Sequence, residues 1–125
     1  MNMFRLFLLV VAVLVSASSA FADTADGAYK GTLAGGGANC HNGGAVVLIV
    51  DHNTIRNAFD QDRSHAVSLD SEGKFNNLKS PSSLFPGSSV IVGGQISGTK
   101  IQNGTLRTEG GRFECTYVII PAPSP

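Results

Sequence analysis

Histidine and aspartate are the residue types in this chain best suited to metal binding or acid–base chemistry. The chain has three histidines, at His41, His52 and His65. Imidazole nitrogens and carboxylate oxygens both bind zinc, and a histidine beside a carboxylate is a common general base. Zinc ligands usually occur in short paired spacings, however, and these histidines lie too far apart in sequence to form such a pair. A zinc site is therefore not predicted.

The acidic segment at residues 60–65 is the nearest approach to a calcium loop. Asp60, Asp62 and Ser64 place oxygen ligands at alternate positions. A calcium loop also needs glycine at its sixth position and glutamate at its twelfth, and the chain has neither at those places. Polar residues at the ends of strands explain the segment equally well, so we predict no metal.

Motifs for phosphate binding and hydrolysis are incomplete. Residues 93–100 approach a P-loop, but Thr99 and Lys100 stand in the reverse of the required order and no helix is predicted after them. Serine is abundant, yet no G-x-S-x-G nucleophile elbow occurs. We therefore predict that the protein is not an enzyme, has no catalytic residues and uses no cofactor.

The least ordinary stretch is the segment G-G-G-A-N-C-H-N-G-G at residues 35–44. Half of it is glycine, which lets a backbone approach a ligand closely. Its polar side chains Asn39, His41 and Asn42 are the candidate binding residues. The alternative is that the segment only connects two strands.

The first 22 residues have the three parts of a signal peptide. Arg5 precedes an apolar run at 6–15, and small residues then end in Ala20-Phe21-Ala22, an A-x-A cleavage site. The run is shorter than the about 20 apolar residues that a membrane-spanning helix needs. We predict removal of residues 1–22, a periplasmic or secreted product, and no membrane association after cleavage.

Both cysteines, Cys40 and Cys115, remain after cleavage. An even number of cysteines in an exported chain predicts a disulfide, and two cysteines allow only one intramolecular pairing. Closing so long a loop stabilises a fold by at most about 4–5 kcal/mol in the chain-entropy model. The alternative, a reactive Cys40 beside His41, would require Cys115 to stay unpaired in an oxidising compartment.

Residues 23–120 are predicted to form a single all-β domain. No segment has helical spacing of apolar residues, and glycines and prolines recur throughout. The predicted strands are residues 27–34, 45–50, 54–59, 65–69, 74–78, 90–97, 99–102, 105–108 and 112–120. Their spacing predicts a small antiparallel β-barrel or β-sandwich of seven to nine short strands, depending on whether neighbours merge. Residues 121–125 are predicted to be a disordered, proline-rich tail.

Side-chain alternation and turn residues refine this prediction. Residues 45–50 are apolar on both faces, which indicates a central buried strand. The last strand should place Phe113, Cys115, Tyr117 and Ile119 on its core face. Asn103-Gly104 predicts a type I′ hairpin with Ile101 opposite Leu106, and a second hairpin is predicted with Gly73 as its left-handed residue.

Two segments carry a resemblance to a known group of proteins. Residues 26–33, D-G-A-Y-K-G-T-L, and residues 111–117, G-R-F-E-C-T-Y, resemble small exported proteins of Gram-negative, rhizobial-type bacteria. Those proteins open on D-G-x-Y-x-G-T followed by an aliphatic residue, and they close on a strand with an aromatic residue near a second cysteine. The resemblance spans most of the mature chain. It implies export and a β fold, and it transfers no functional residue.

Composition narrows the classes of partner. Nine basic residues balance nine acidic residues, so the chain lacks the basic surplus that nucleic-acid binding needs. The sequence therefore predicts a non-enzymatic exported domain that binds an unknown small ligand or protein. One alternative is an inhibitor of an extracellular hydrolase that inserts the glycine-rich loop or residues 53–64 into the enzyme's cleft. The other is a small hydrolytic enzyme, which would require a histidine within reach of a carboxylate in a concave site.

Overall fold

The computed structural model of the protein describes residues 24–82 and 87–123. Within those ranges the chain forms eight strands and one 3₁₀ turn, Arg63–His65. In chain order the strands are β1 (Gly27–Gly35), β2 (Ala45–Asp51), β3 (Thr54–Asn57), β4 (Val67–Ser68), β5 (Lys74–Pro81), β6 (Ser89–Ser97), β7 (Lys100–Glu109) and β8 (Thr116–Pro121). The predicted signal peptide lies outside the described residues.

The strands form one antiparallel sheet in the order β4-β3-β2-β1-β8-β7-β6-β5. The first and last strands of the chain therefore pair with each other, and β4 and β5 are left as the two edges. A side-chain hydrogen bond of 3.3 Å from Asn57 Nδ2 on β3 to Ser80 Oγ on β5 joins the two edge regions. The result is a nearly closed up-and-down barrel, which confirms the all-β prediction; we call the gap between β4 and β5 the seam.

No helix among the described residues is long and apolar enough to cross a membrane.

Large apolar side chains fill the barrel interior. Tyr117, Leu48 and Ile101 are completely buried there. On the inward faces of β1 and β7, a glycine leaves space for a neighbouring side chain. A Cβ atom on Gly31 would lie 2.6 Å from Ile119 Cγ2, and one on Gly104 would lie 2.9 Å from Ile119 Cβ. Ile119 therefore occupies space that two glycines leave open.

The face predictions for individual strands hold in part. On β2, Val46, Leu48 and Val50 alternate into the core, but the residues between them lie half-buried on the outer surface. The prediction that β2 is buried on both faces is therefore wrong, because a barrel buries only one face of each strand. Cys115, directly before β8, is buried as predicted, whereas Phe113 is 47% exposed because it lies in the loop that joins β7 to β8.

The Asn103-Gly104 hairpin prediction is wrong. β7 runs through these residues without a break, and the turn that joins β6 to β7 lies at Gly98, with φ of 61°. Ile101 pairs with Ile96 on β6, and not with Leu106. Asn103 does have a positive φ of 51°, but it serves a β-bulge, which favours the same residue types as a turn.

Two other turns contain residues with positive φ. One of them was predicted from the sequence and the other was not. Gly73 has φ of 78°, and its N–H donates to the Asp70 carbonyl at 3.0 Å, so the predicted turn between β4 and β5 is present. A type I′ turn, the type predicted at Asn103-Gly104, is found instead between β2 and β3. There His52 and Asn53 both have positive φ, 50° and 61°.

Candidate functional site

Loops of an up-and-down barrel alternate between its two ends. One end carries the loops at 36–44, 58–66 and 110–115, and we call it the disulfide end because Cys40 and Cys115 bond there. The opposite end carries the turns at 52–53 and 98–99, and it also carries the turn at 69–73 that joins β4 to β5 across the seam.

The disulfide end holds the predicted binding loop in place. Cys40 and Cys115 form the predicted disulfide, with their Cα atoms 6.0 Å apart. The Tyr117 hydroxyl donates to the His41 carbonyl at 2.9 Å, and the Gly36 N–H donates to the Thr116 carbonyl at 3.1 Å. Covalent, side-chain and main-chain contacts therefore all tether this loop to the start of β8.

The three predicted binding residues lie close together on that loop. Asn39, His41 and Asn42 are all exposed, and Asn39 has a positive φ of 67°. All three flank Cys40 in sequence, within two residues of the disulfide.

A buried threonine sets the position of Cys115. The Thr108 side-chain oxygen accepts a hydrogen bond of 2.9 Å from the Cys115 N–H, and the Thr108 N–H donates to the Cys115 carbonyl at 2.9 Å. Thr108 is 4% exposed. This pair of hydrogen bonds satisfies the main chain around the cysteine before β8 begins.

His65 is the histidine most fully engaged with carboxylates. Its Nδ1 lies 2.6 Å from Asp60 Oδ2, and its Nε2 lies 3.5 Å from Asp62 Oδ2. The hydrogen bond to Asp60 raises the pKa of His65, and the negative charges of both aspartates add to that increase. The Ser64 hydroxyl donates to Asp62 Oδ1 at 2.6 Å and so is not aligned on the imidazole. Both ring nitrogens face carboxylates, an arrangement that braces the loop at 58–66.

A second group of potential ligands lies at the opposite end. One ligand atom from each of Asp26, Asp51 and His52 falls within 4.8 Å of the others, and all three residues are exposed. His52 Nδ1 hydrogen bonds to Asp51 Oδ1, and the His52 N–H donates to Asp26 Oδ1 at 3.1 Å. These contacts explain the grouping as a brace for the type I′ turn. Sequence reasoning considered His52 as a possible ligand but missed Asp26, which is distant in sequence.

A groove of about 750 Å³ opens along the seam. It begins at the β4 edge, crosses β5 and β6, and reaches β7. Its apolar part combines half-buried and buried side chains, and its polar part contains one cation, one carboxylate, three amides and one hydroxyl. The lining residues are Val67, Ser68, Leu69, Asp70, Lys74, Phe75, Asn76, Gly94, Gln95 and Asn103.

Bulges in neighbouring strands shape this groove. The β5–β6 register shifts between Phe75 and Leu78, and the β6–β7 register shifts between Gly93 and Gln95. Glycine also suits the close approach of β6 to β7 here, since a Cβ on Gly94 would lie 3.0 Å from the Gly104 Cα. Bulges bend strands and redirect side chains, and they are common beside functional sites.

Charges in the groove are largely satisfied by the protein itself. Asp70 Oδ1 accepts the N–H groups of Glu72 and Lys74, each at 2.8 Å, and these bonds, led by that of Lys74, lower the pKa of Asp70. Lys74 Nζ pairs with Glu72 Oε2 at 2.9 Å. The groove therefore has no uncompensated cation among its lining residues.

Two of the three amides remain available to a ligand. Gln95 Nε2 donates to the Glu72 carbonyl at 2.8 Å. Asn76 and Asn103 are exposed, and their side chains have no hydrogen-bond partner within residues 24–82 and 87–123. Each can both donate and accept a hydrogen bond from its terminal amide.

None of the groove residues was among the predicted site residues. The signal that could have found them is the recurrence of Asn and Gly pairs inside strands, at 76–77, 93–94 and 103–104. Such pairs indicate bulges when strands continue on both sides.

Comparisons with protein-family models, curated proteins and solved structures find no match to this chain. The function must therefore be inferred from the chemistry of the groove and the loop.

Proposed function

We propose that the protein is a non-enzymatic exported binding module whose ligand occupies the groove at the seam. The observation that carries this proposal is that β5, β6 and β7 are bulged next to the seam. The seam and the bulges together open a groove of about 750 Å³. Ligand pockets typically occupy about 300–1,000 Å³ and combine an apolar lining with a few polar groups.

The chemistry of the groove supports binding without catalysis. Its lining contains no histidine and no cysteine, and Asp70 is its single carboxylate. Asp70 Oδ1 is already the acceptor of two main-chain N–H groups, and its lowered pKa makes it a poor general base. The His65 imidazole lies on another loop and faces two carboxylates.

The disulfide supports the exported location. Structural disulfides form and persist in oxidising compartments such as the periplasm and the extracellular space. Cys40 and Cys115 are bonded, and no described cysteine is free. Together with the signal-peptide pattern at residues 1–22, this bond supports a periplasmic or secreted protein.

A pair of tryptophan variants tests the groove as the binding site. Ser68→Trp places a large side chain in the groove, whereas Thr116→Trp places one at an exposed position on β8 outside the groove. In a thermal-shift screen of a small-molecule library, ligands should stabilise the wild-type and Thr116→Trp proteins but not Ser68→Trp. A ligand at 100 times its dissociation constant stabilises by about 2.7 kcal/mol. Ligands that stabilise both variants equally would refute the groove as their site.

The tethered loop supports a second candidate, an inhibitor of an extracellular hydrolase. Asn39, His41 and Asn42 are exposed on a loop fixed by the disulfide and by Tyr117. A rigid loop loses little conformational entropy on entering a cleft. Inhibition assays with lysozymes and secreted proteases, comparing wild type with Asn42→Ala, test this function. Unchanged enzyme rates at saturating protein would eliminate it.

A further inference from the structure

We infer that the groove binds a neutral saccharide of one or two sugar rings. This inference rests on the proposed function, because it names the ligand class of the same groove. Three features support it: the amides of Asn76 and Asn103 that have no partner among the described residues, the balanced charge of the lining, and a seam that is bridged at two points.

Charge balance argues against an anionic ligand. Lys74 is the single cation among the lining residues, and its ammonium group already pairs with Glu72 Oε2 at 2.9 Å. A phosphate or sulfate on the same ammonium would meet the carboxylates of Glu72 and Asp70. An anion would therefore share an ammonium group that Glu72 already neutralises in part, whereas a neutral ligand needs no cation.

The polar lining matches hydroxyl groups. A sugar hydroxyl donates one hydrogen bond and accepts others, and a side-chain amide also does both. Asn76 and Asn103 supply two such amides without a partner among the described residues, and Ser68 adds a hydroxyl. Val67 and Leu69 lie half-buried in the same groove and supply apolar contact for the C–H face of a ring.

The geometry of the seam argues against an extended peptide. A peptide that added a strand would need a run of free backbone groups on an edge. The β4 edge has only two residues, Val67–Ser68, and the eight-residue β5 edge, Lys74–Pro81, is bridged to the other side of the seam near both of its ends. The hydrogen bond from the Asp70 N–H to the Lys74 carbonyl, 3.0 Å, joins the two edges at one end, and the Asn57–Ser80 contact bridges them farther along. The seam therefore accepts a compact ligand better than a long one.

The barrel interior argues against a lipid. Fully buried side chains, among them Leu48, Ile101 and Tyr117, already occupy it. A hydrocarbon chain would have to displace them, or lie in a groove where six of the ten lining residues are polar. A ligand with many hydroxyl groups suits that lining better.

Amide resonances provide a direct readout. We expect at least one of maltose, cellobiose and N,N′-diacetylchitobiose to shift the side-chain amide signals of Asn76 and Asn103 in ¹⁵N-resolved NMR titrations of the full-length mature protein. Asn103→Gly removes an amide while keeping the positive φ, and Asn53→Gly is its matched control at another exposed positive-φ asparagine. The matched control for Asn76→Ala is Gln102→Ala, because Gln102 is also an exposed strand amide but does not line the groove.

The outcomes separate the inference from the function on which it rests. The two groove variants should weaken the sugar affinity about tenfold or more, the loss expected for a missing hydrogen bond of about 1.4 kcal/mol, while the controls stay within twofold or so. Failure of all three sugars to shift these signals overturns the saccharide inference. If inorganic phosphate or a tetraalanine peptide shifts them instead, the groove remains a binding site for another ligand class. If no probe shifts them and no library ligand separates Ser68→Trp from Thr116→Trp, both the inference and the proposed function fail.

Discussion

The hydroxyl of Tyr117 donates a hydrogen bond of 2.9 Å to the main-chain carbonyl of His41, 76 positions earlier in the chain. The Tyr117 ring is completely buried, so this bond links the barrel interior to the loop at the disulfide end. Burial raises the pKa of Tyr117 above the ordinary tyrosine value of 10.0, so the phenol remains a donor at neutral and moderately alkaline pH. The loop is thus held by Cys40 and, at the next residue, by this hydrogen bond.

Removing the Tyr117 hydroxyl should loosen this loop and leave the barrel intact. We expect Tyr117→Phe to lower the free energy of unfolding by about 1 kcal/mol, because one largely buried hydrogen bond is lost while the ring still packs. Hydrogen exchange should become faster at residues 38–44. Tyr29→Phe is the matched control, because Tyr29 donates to the Ala25 carbonyl at 2.6 Å and its loss should affect only the N-terminal segment. Equal exchange in the loop of both variants would contradict this role for Tyr117.

The disulfide should account for a large part of the stability. Its loop spans 75 positions, so the Cys40→Ala/Cys115→Ala variant should lose up to about 4–5 kcal/mol in the chain-entropy model. Urea unfolding of the oxidised protein and of the double variant measures this difference. A double variant with unchanged thermal stability would show that the barrel does not depend on the bond.

The sequence predicted the features that depend on local patterns. Alternation of apolar and polar residues identified most strands, and it placed Cys115, Tyr117 and Ile119 on the core face of the last strand. The disulfide followed from an even cysteine count together with the predicted signal peptide.

The Asn and Gly pairs are a local signal for bulges, but the groove itself could not be predicted, because it also depends on long-range pairing between strands. Asn103-Gly104 suits a turn and a bulge equally well by its φ preferences, and only the continuing ladders with β6 and β8 select the bulge. The seam exists because β1 pairs with β8, a long-range pairing that leaves β4 and β5 as edges. The type I′ turn at His52 lacks the glycine that usually identifies such turns.

The packing of Ile119 against Gly31 makes that glycine a sensitive position. A Cβ at Gly31 would lie 2.6 Å from Ile119 Cγ2 and 2.9 Å from the Ile120 carbonyl oxygen. We expect Gly31→Ala to destabilise the protein by about 1–3 kcal/mol, as overpacking usually does. Urea unfolding measures it.

A double-mutant cycle tests whether this clash is the cause. Ile119→Ala removes Cγ2 and leaves a cavity, so alone it should destabilise the protein. The Gly31→Ala/Ile119→Ala variant should lose less stability than the sum of the single losses, by about 0.5 kcal/mol or more. Simple additivity would show that the Ile119 side chain is not what the new methyl group meets.

The pairing of His65 with Asp60 should make stability depend on pH. The hydrogen bond to Asp60 raises the pKa of His65 above its ordinary value of 6.5, so the folded protein holds the imidazolium proton more tightly than the unfolded chain does. The stabilisation is therefore fully present below that ordinary pKa, and it is lost as the pH rises through the raised pKa of the folded state. Urea unfolding of the wild type from mildly acidic to mildly alkaline pH should show this decline.

Two variants identify the residues responsible. His65→Gln removes the titrating group but keeps a donor for Asp60, so its stability should vary less over the same pH range. Asp60→Asn keeps an acceptor for the Asp62 N–H, which now lies 3.0 Å from Asp60 Oδ1, but it removes the negative charge at His65. The pKa of His65, followed by NMR titration of its ring protons, should then fall toward the ordinary value. An unchanged His65 pKa in Asp60→Asn would show that this carboxylate does not hold the proton on the ring.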